Sequence, residues 1–220
     1  MTSVVNAKPL VSIVVTCHNY GQYLTECIES AIGQGEVIVV DDGSTDNTRE
    51  VCGEWIGDNN FSYMYQENKG LPSARNTGIK AARGKYIIPL DADDTLYPEF
   101  VEKTLPLMPA IARTGLKCFG ENDCVLPPSP YVTKADLLVN NQIFGTSMFP
   151  KEAWEKVGGY DEHMKAFEDW DFWIRMTDVL DIKTIEEPLF NYRIHKDSMT
   201  GQMNSNDREE LKQYIRDKYK

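Results

Sequence analysis

Asp91, Asp93 and Asp94 follow directly on the apolar run 86–90, which puts a carboxylate cluster at the mouth of an expected strand. On an extended backbone residues i and i+2 share a side, so Asp91 and Asp93 can aim their hard oxygens at one point. That chemistry suits Mg²⁺ or Mn²⁺ bridging a diphosphate. A solvated turn would use the same residue type, because Asp is common in turns. Two more polar clusters close apolar runs: residues 17–20, with His18, and residues 41–46, with Asp42. Farther on, Glu168 and Asp169 open a stretch of helical spacing.

These clusters need a scaffold, and the hydrophobic periods supply one. Residues 10–16, 37–40, 61–66 and 86–90 read as strands; 23–32, a stretch after 46 running toward Ile56, and 73–82 read as helices. The order βαβαβαβ predicts a single α/β domain with a mostly parallel central sheet and helices on both faces. In such sheets ligands bind at the carboxyl ends of strands, beside the switch in strand order. All three polar clusters of the first hundred residues fall there. Beyond Pro98 a helix with proline in its first turn is expected, then a loop-rich, proline-containing stretch over 105–130. A short strand at 146–149, helices at 151–157 and 168–177, a strand at 190–194 and a polar helix at 206–219 complete the reading.

With 220 residues, 41% of them hydrophobic, the chain is long enough for one real core. Its net charge of -11 argues against nucleic acid as a partner and means that an anionic substrate needs a metal or local cations. No apolar run approaches the roughly 20 residues of a membrane span, and residues 1–9 lack the layout of a secretory signal. A soluble, cytoplasmic protein is expected, with peripheral membrane association left open. The five cysteines are odd in number and contain no C-x-x-C, so reduced, mostly buried thiols are expected.

Residues 11–16, Val39-Val40-Asp41-Asp42-Gly43-Ser44-Thr45-Asp46, Asn68-Lys69-Gly70 with Ala74-Arg75-Asn76-Thr77-Gly78, and Leu90-Asp91-Ala92-Asp93-Asp94 together resemble the inverting family-2 glycosyltransferases of GT-A (Rossmann-like) fold. The likeness continues through residues 157–162, Phe167-Glu168-Asp169-Trp170-Asp171 and Tyr192-Arg193-Ile194-His195. It implies a tail over 1–9, a nucleotide-sugar-binding half over 10–97, an acceptor-binding and catalytic half over 98–200, and a terminal polar helix over 201–220.

The resemblance also implies roles. Asp42 matches the acid that hydrogen-bonds the pyrimidine N–H, with Thr16 and His18 lining the base pocket. His18 stands where an aromatic ring stacks on uracil; a surface histidine satisfied by water fits the same sequence. Asp91, Ala92 and Asp93 match the D-x-D block that contacts ribose, diphosphate and metal. Asp93 is the first metal ligand, Asp91 the second and His195 a third, with Asp94 a further candidate. Lys69 and Arg75 face the nucleotide, where their cations would help to hold the donor. Asp169 matches the proposed base, and the dipole of its helix would hold it ionised. Glu168 and Trp170 would border the acceptor, Trp170 as a stacking face. The implied reaction is metal-dependent transfer of one hexosyl or N-acetylhexosaminyl group, with inversion, from a UDP-sugar to a hydroxyl of a glycan or lipid-linked acceptor.

Other readings are weaker. A sugar nucleotidyltransferase needs a glycine-rich basic loop after the first strand, which residues 17–21 do not supply; a nicotinamide-binding dehydrogenase needs G-x-G-x-x-G at the same place. A catalytically inactive sugar-nucleotide or carbohydrate-binding module would have no use for Asp169.

Overall fold

The computed structural model describes residues 9–220; residues 1–8, most of the expected tail, lie outside the described residues. Runs of β-branched residues build the centre. The strands β1 (Val11–Cys17), β2 (Glu36–Asp42), β3 (Phe61–Gln66) and β4 (Tyr86–Asp91) alternate with the helices α1 (Gly21–Ala31), α2 (Thr48–Gly53) and α3 (Leu71–Ala81). These four strands pair in parallel in the order β3-β2-β1-β4. The chain continues through β5 (Thr95–Leu96), α4 (Phe100–Thr104), β6 (Ile111–Gly120), β7 (Cys124–Leu126), α5 (Lys134–Leu137), β8 (Phe149–Pro150) and α6 (Lys151–Val157). It ends with α7 (Glu168–Met176), β9 (Ile182–Ile194), α8 (Met199–Gln202) and α9 (Ser205–Lys218). β8 joins the first sheet antiparallel to β4 but pairs only Tyr86 and Ile87, ending before Pro89, which has no N–H to continue a ladder.

Both faces of this sheet are buried, as helices on both sides require. Ile13, Val15, Val37, Val39, Ile88 and Leu90 point into one hydrophobic cluster with Leu24, Cys27 and Ile28 of α1. Val14, Ile38, Val40 and Ile87 point into the other with Ala74 and Ile79 of α3 and Phe172 and Trp173 of α7. The period of two along each strand sorts them. α3 approaches the sheet so closely that a Cβ on Gly78 would meet Val14 Cγ1 at 2.3 Å and Val40 Cγ2 at 2.9 Å. Asp46 fixes the starts of two helices, accepting from Gly21 N at 2.8 Å and from Thr48 N at 3.0 Å.

A second sheet, in the order β5-β9-β6-β7, stands beside the first. Its core is the parallel pair β6 and β9, running from Ile111 opposite Ile182 to Gly120 opposite Ile194 with an irregularity around Gly115. β6 falls in the stretch expected to be loop. Arg113, Thr114, Gly115 and Lys117 break its apolar pattern, although Arg113 and Thr114 are buried. β9 begins eight residues before the strand expected at 190, because β6 pairs with it from Ile182 onward; β5 covers only Phe190 and Asn191 on the other edge, and the exposed Lys183, Glu186 and Glu187 interrupt the apolar pattern.

One expectation about the cysteines is corrected. Cys17, Cys27 and Cys52 are free and buried, but Cys118 and Cys124 form a disulfide. They stand directly opposite each other on the antiparallel pair β6 and β7, a juxtaposition that only the pairing register creates. Among the described residues no helix is long and apolar enough to cross a membrane.

Candidate active site

β1 lies between β2 and β4, and the chain leaves it in opposite directions on its two sides, which makes the carboxyl ends of these strands the switch point. Register places Thr16 beside Asp91 on one side and Val40 on the other, with Cys17 opposite Asp41. A cleft of about 570 Å³ opens there, lined by Thr16, His18, Asp42, Asp91 and Asp93 from the strand ends and by Tyr192, Met199 and Gln202 from the far end of the chain. Five sequence-predicted residues thus meet at one wall.

Asp42 is buried and its carboxylate accepts from Gln66 Nε2 at 2.7 Å, Lys69 N at 2.9 Å and Gly70 N at 2.8 Å. It ties the turn before α3 to the end of β2. His18 Nδ1 lies 2.7 Å from the Asp42 carbonyl oxygen, and Asn68 Nδ2 lies 3.2 Å from His18 Nε2. Asn68 also lines the cleft; it belongs to the Asn-Lys-Gly block, of which only Lys69 is expected at the site from sequence. Lys69 contributes its backbone N–H to Asp42, while its side chain is exposed beside the cleft.

The D-x-D block divides by the alternation of the backbone. Asp91 and Asp93 line the cleft, whereas Ala92 is fully buried in the core and offers no side-chain surface to a nucleotide. Asp94 is buried as well and accepts from Arg193 N at 2.9 Å; burial and the neighbouring Asp93 push its carboxyl well up. It braces β9 and does not line the cleft. Asp93 Oδ2 lies 2.9 Å from His195 Nε2, and the imidazole packs against the rings of Tyr20 and Tyr23 at 5.4 and 5.1 Å. Buried beside Asp93, His195 holds that carboxylate by this hydrogen bond.

A divalent cation fits this donor set in a particular way. Among the described residues no three His, Cys, Asp or Glu side chains form a metal cage. Mg²⁺ and Mn²⁺ at phosphate sites need only one or two carboxylates, with substrate oxygens completing the shell. Asp93 and Asp91 supply that number. Burial and the charge of Asp91 raise the Asp93 carboxyl, which a bound cation would reverse.

Arg75 does not reach into the cleft as a free cation. It is buried, donating to Asp91 Oδ1 at 2.8 Å and to Glu168 Oε1 at 2.5 Å, with its guanidinium 5.4 Å from the centre of the Tyr160 ring. Burial alone would lower its pKa, but Asp91 and Glu168 outweigh that and keep it charged. Glu168 consequently serves as a partner of Arg75 and shows no free face for an acceptor. Trp170 is also buried, with Nε1 donating to Leu137 O at 2.6 Å; it is core, not a stacking platform.

Asp169 sits in the first turn of α7, which follows Phe167 in the left-handed region at φ 58°, a conformation a bulky residue rarely adopts and one that recurs at functional sites. Its side chain stays partly accessible and accepts from Asn141 Nδ2 at 2.9 Å. The expected depression by the helix dipole is overturned: burial raises the Asp169 carboxyl, against the pull of Arg75. Burial likewise takes Glu168 up to about 7, again opposed by Arg75. One guanidinium serves three carboxylates, so dehydration wins.

The family model Glycosyl transferase family 2 matches residues 12–120. An uncharacterized glycosyltransferase of Rickettsia prowazekii (strain Madrid E) is 34% identical over 214 residues, covering 88% of this chain and 67% of that protein. The chain belongs to glycosyltransferase family 2. Hyaluronan synthase of Pasteurella multocida is 31% identical to this family-2 domain over 209 residues, covering 88% of the chain but 21% of that enzyme. The fold is that of GT-A glycosyltransferases: S. aureus TarS 1-349 in complex with UDP-GlcNAc matches with a TM-score of 0.77 at 19% identity, over 93% of this chain and 65% of TarS 1-349. The chain thus spans about two thirds of some relatives and a fifth of others.

Proposed function

We propose that this family-2 glycosyltransferase is metal-dependent and inverting, moving one hexosyl or N-acetylhexosaminyl group from a UDP-sugar to a hydroxyl of a glycan or lipid-linked acceptor. The observation that carries the reading is Arg75, which joins Asp91 in the donor cleft to Glu168 beside Asp169. Asp91 and Glu168 thereby share one buried cation, whose charge also acts on the neighbouring Asp169. Residues 10–97 supply most of the donor cleft, with Thr16, His18 and Asp42 at the nucleotide, and most of 98–200 serves the acceptor. Lys69, at the rim, lends charge to an otherwise acidic mouth. The TarS complex with UDP-GlcNAc supports a UDP-sugar, and the hyaluronan synthase likeness supports a role in polysaccharide assembly.

In the reaction the acceptor oxygen attacks the anomeric carbon on the face opposite the diphosphate. The bond from that carbon to the β-phosphate oxygen breaks, the electron pair leaves with the nucleoside diphosphate, and the hydroxyl proton passes to Asp169. Burial keeps Asp169 more basic than a solvated aspartate, which favours the transfer. Mn²⁺ or Mg²⁺, held by Asp93 and Asp91 together with the diphosphate, would neutralise the charge that develops on the leaving phosphate. Thr16 Oγ1, 3.2 Å from Asp91 Oδ1, and His195 behind Asp93 fix the two carboxylates in advance.

Calorimetry of UDP binding with Mn²⁺ and again with EDTA tests the donor site. Binding that requires the metal and disappears in Asp93→Ala is expected; metal-independent binding unaffected by that change would overturn the assignment. A panel of UDP-sugars assayed by UDP release then identifies the donor.

A further inference from the structure

Asp169 has one side-chain hydrogen-bond partner that none of the sequence blocks contains. Asn141 Nδ2 donates to Asp169 Oδ2 at 2.9 Å, while Asp169 Oδ1 accepts from the N–H of Trp170 at 2.8 Å. Asn141 lies in an irregular segment between α5 and β8, where a side chain would ordinarily be free to wander. Here the backbone on both sides of it is pinned by side chains from three distant elements. Trp170 of α7 holds the Leu137 carbonyl at 2.6 Å, Arg216 of α9 holds the Val139 carbonyl at 3.1 Å, and Arg113 of β6 holds the Gln142 carbonyl at 2.6 Å.

Arg113 is the unusual member. It is 1% exposed, and among the described residues its hydrogen bonds go to neutral oxygens: Thr184 Oγ1 at 2.9 Å, Gln142 O, and Ser129 O. Burial lowers its pKa, and among the described residues no carboxylate pairs with it. That cost is explained if the guanidinium sets the path of residues 129–142. Asn141 Oδ1 adds its own constraint by accepting from Ile143 N at 3.2 Å, which turns the amide so that Nδ2 faces Asp169.

We propose that Asn141 is a positioning residue for Asp169, fixing its carboxylate toward the acceptor hydroxyl, and that Arg113 fixes Asn141. The proposal rests on Asp169 being the base. A hydrogen bond donated to a carboxylate favours its ionised form, so Asn141 restrains the rise that burial imposes on Asp169. The charged and titratable groups facing Asp169 are Arg75 of α3, Asp91 of β4, Tyr160 after α6 and Glu168 beside it. None of them is altered by changing Asn141.

Carboxyl ¹³C NMR titration of the unliganded protein tests this without a donor, with Asp169 assigned by the resonance lost in Asp169→Asn. In Asn141→Ala the Asp169 midpoint should move to higher pH, and in Asn141→Asp, which adds a like charge, higher still. Arg113→Lys, losing part of the clamp, should move it in the same direction by less. Donor turnover in Asn141→Ala should fall about tenfold in kcat with the donor KM unchanged, and UDP binding should match the wild type. Coincident midpoints in wild type and Asn141→Ala overturn the positioning role whatever Asp169→Asn does. Separated midpoints with an Asp169→Asn enzyme that still turns over overturn the base assignment instead, leaving the contact structural. Because Asn141 is partly exposed, its variants should fold even if Arg113→Lys does not.

Discussion

Asp169 and Glu168 are two adjacent carboxyls that dehydration pushes up while a single guanidinium pulls both down. As the proposed base, Asp169 must be ionised to accept a proton, so activity should rise with pH through its raised midpoint. The acidic limb of kcat/KM should therefore lie above the range of an ordinary aspartate, which a pH profile measures directly. Glu168→Gln removes the neighbouring negative charge and leaves Arg75 to Asp169 and Asp91; the limb should then move to lower pH. Asp169→Asn keeps the shape but not the basicity. Loss of general base catalysis costs roughly 10²- to 10⁴-fold, and kcat should fall by that order while UDP binding in calorimetry stays intact. The types and order of these residues were legible in the chain, but Arg75 illustrates what was not. Its expected role facing the nucleotide gives way to a bridge between Asp91 and Glu168, 93 residues apart from the latter in sequence.

At the scale of elements, the closeness of α3 to the sheet decides where Arg75 can reach. Gly78 makes that closeness possible. Helix propensity alone favours Gly78→Ala by about 1 kcal/mol, but the new Cβ would enter Val14 Cγ1 at 2.3 Å, and overpacking of this kind costs about 1–3 kcal/mol. Packing should win, so urea denaturation should show a net loss of stability, with UDP binding weakened as α3 is displaced. α9 is held by a different device. Asp171 of α7 accepts from Arg175 Nη2 at 2.7 Å and Tyr219 Oη at 2.6 Å, and pairs with Lys218 Nζ at 2.7 Å. Burial would raise this carboxyl, but the hydrogen bonds of Lys218 and Tyr219 and the charge of Arg175 hold it below the usual range. A depressed folded-state pKa contributes stability that is present above the unfolded value and lost as pH falls through the folded one. Asp171→Asn should accordingly lower Tm at neutral pH and by less in acid. The polar pattern of 206–219 identified this helix; its docking through Asp171 had no local signature.

The whole molecule carries a net charge of -11 and gathers Asp42, Asp91 and Asp93 at the cleft proposed to take the donor. Long-range repulsion should oppose UDP when no metal is present. In EDTA, raising ionic strength should therefore strengthen whatever UDP binding remains, the reverse of the usual salt effect. The cleft also joins the two ends of the chain: Tyr20 Oη donates to Asp197 O at 2.9 Å, and Tyr192, Met199 and Gln202 complete the wall begun by Thr16 and His18. The lining of the cleft is thus not confined to residues 10–97.

The parallel sheet, its flanking helices and the set of acids at the strand ends were determined by sequence alone, because periods of two and 3.6 are local properties and strand ends follow from them. Family blocks added Asp169. The tertiary structure alone decided which acids share a cation, that Ala92 and Trp170 are core, that Cys118 meets Cys124, and that a strand runs through 111–120. Burial, cross-strand register and long-range hydrogen bonds exist only between residues distant in the chain, and no local pattern records them.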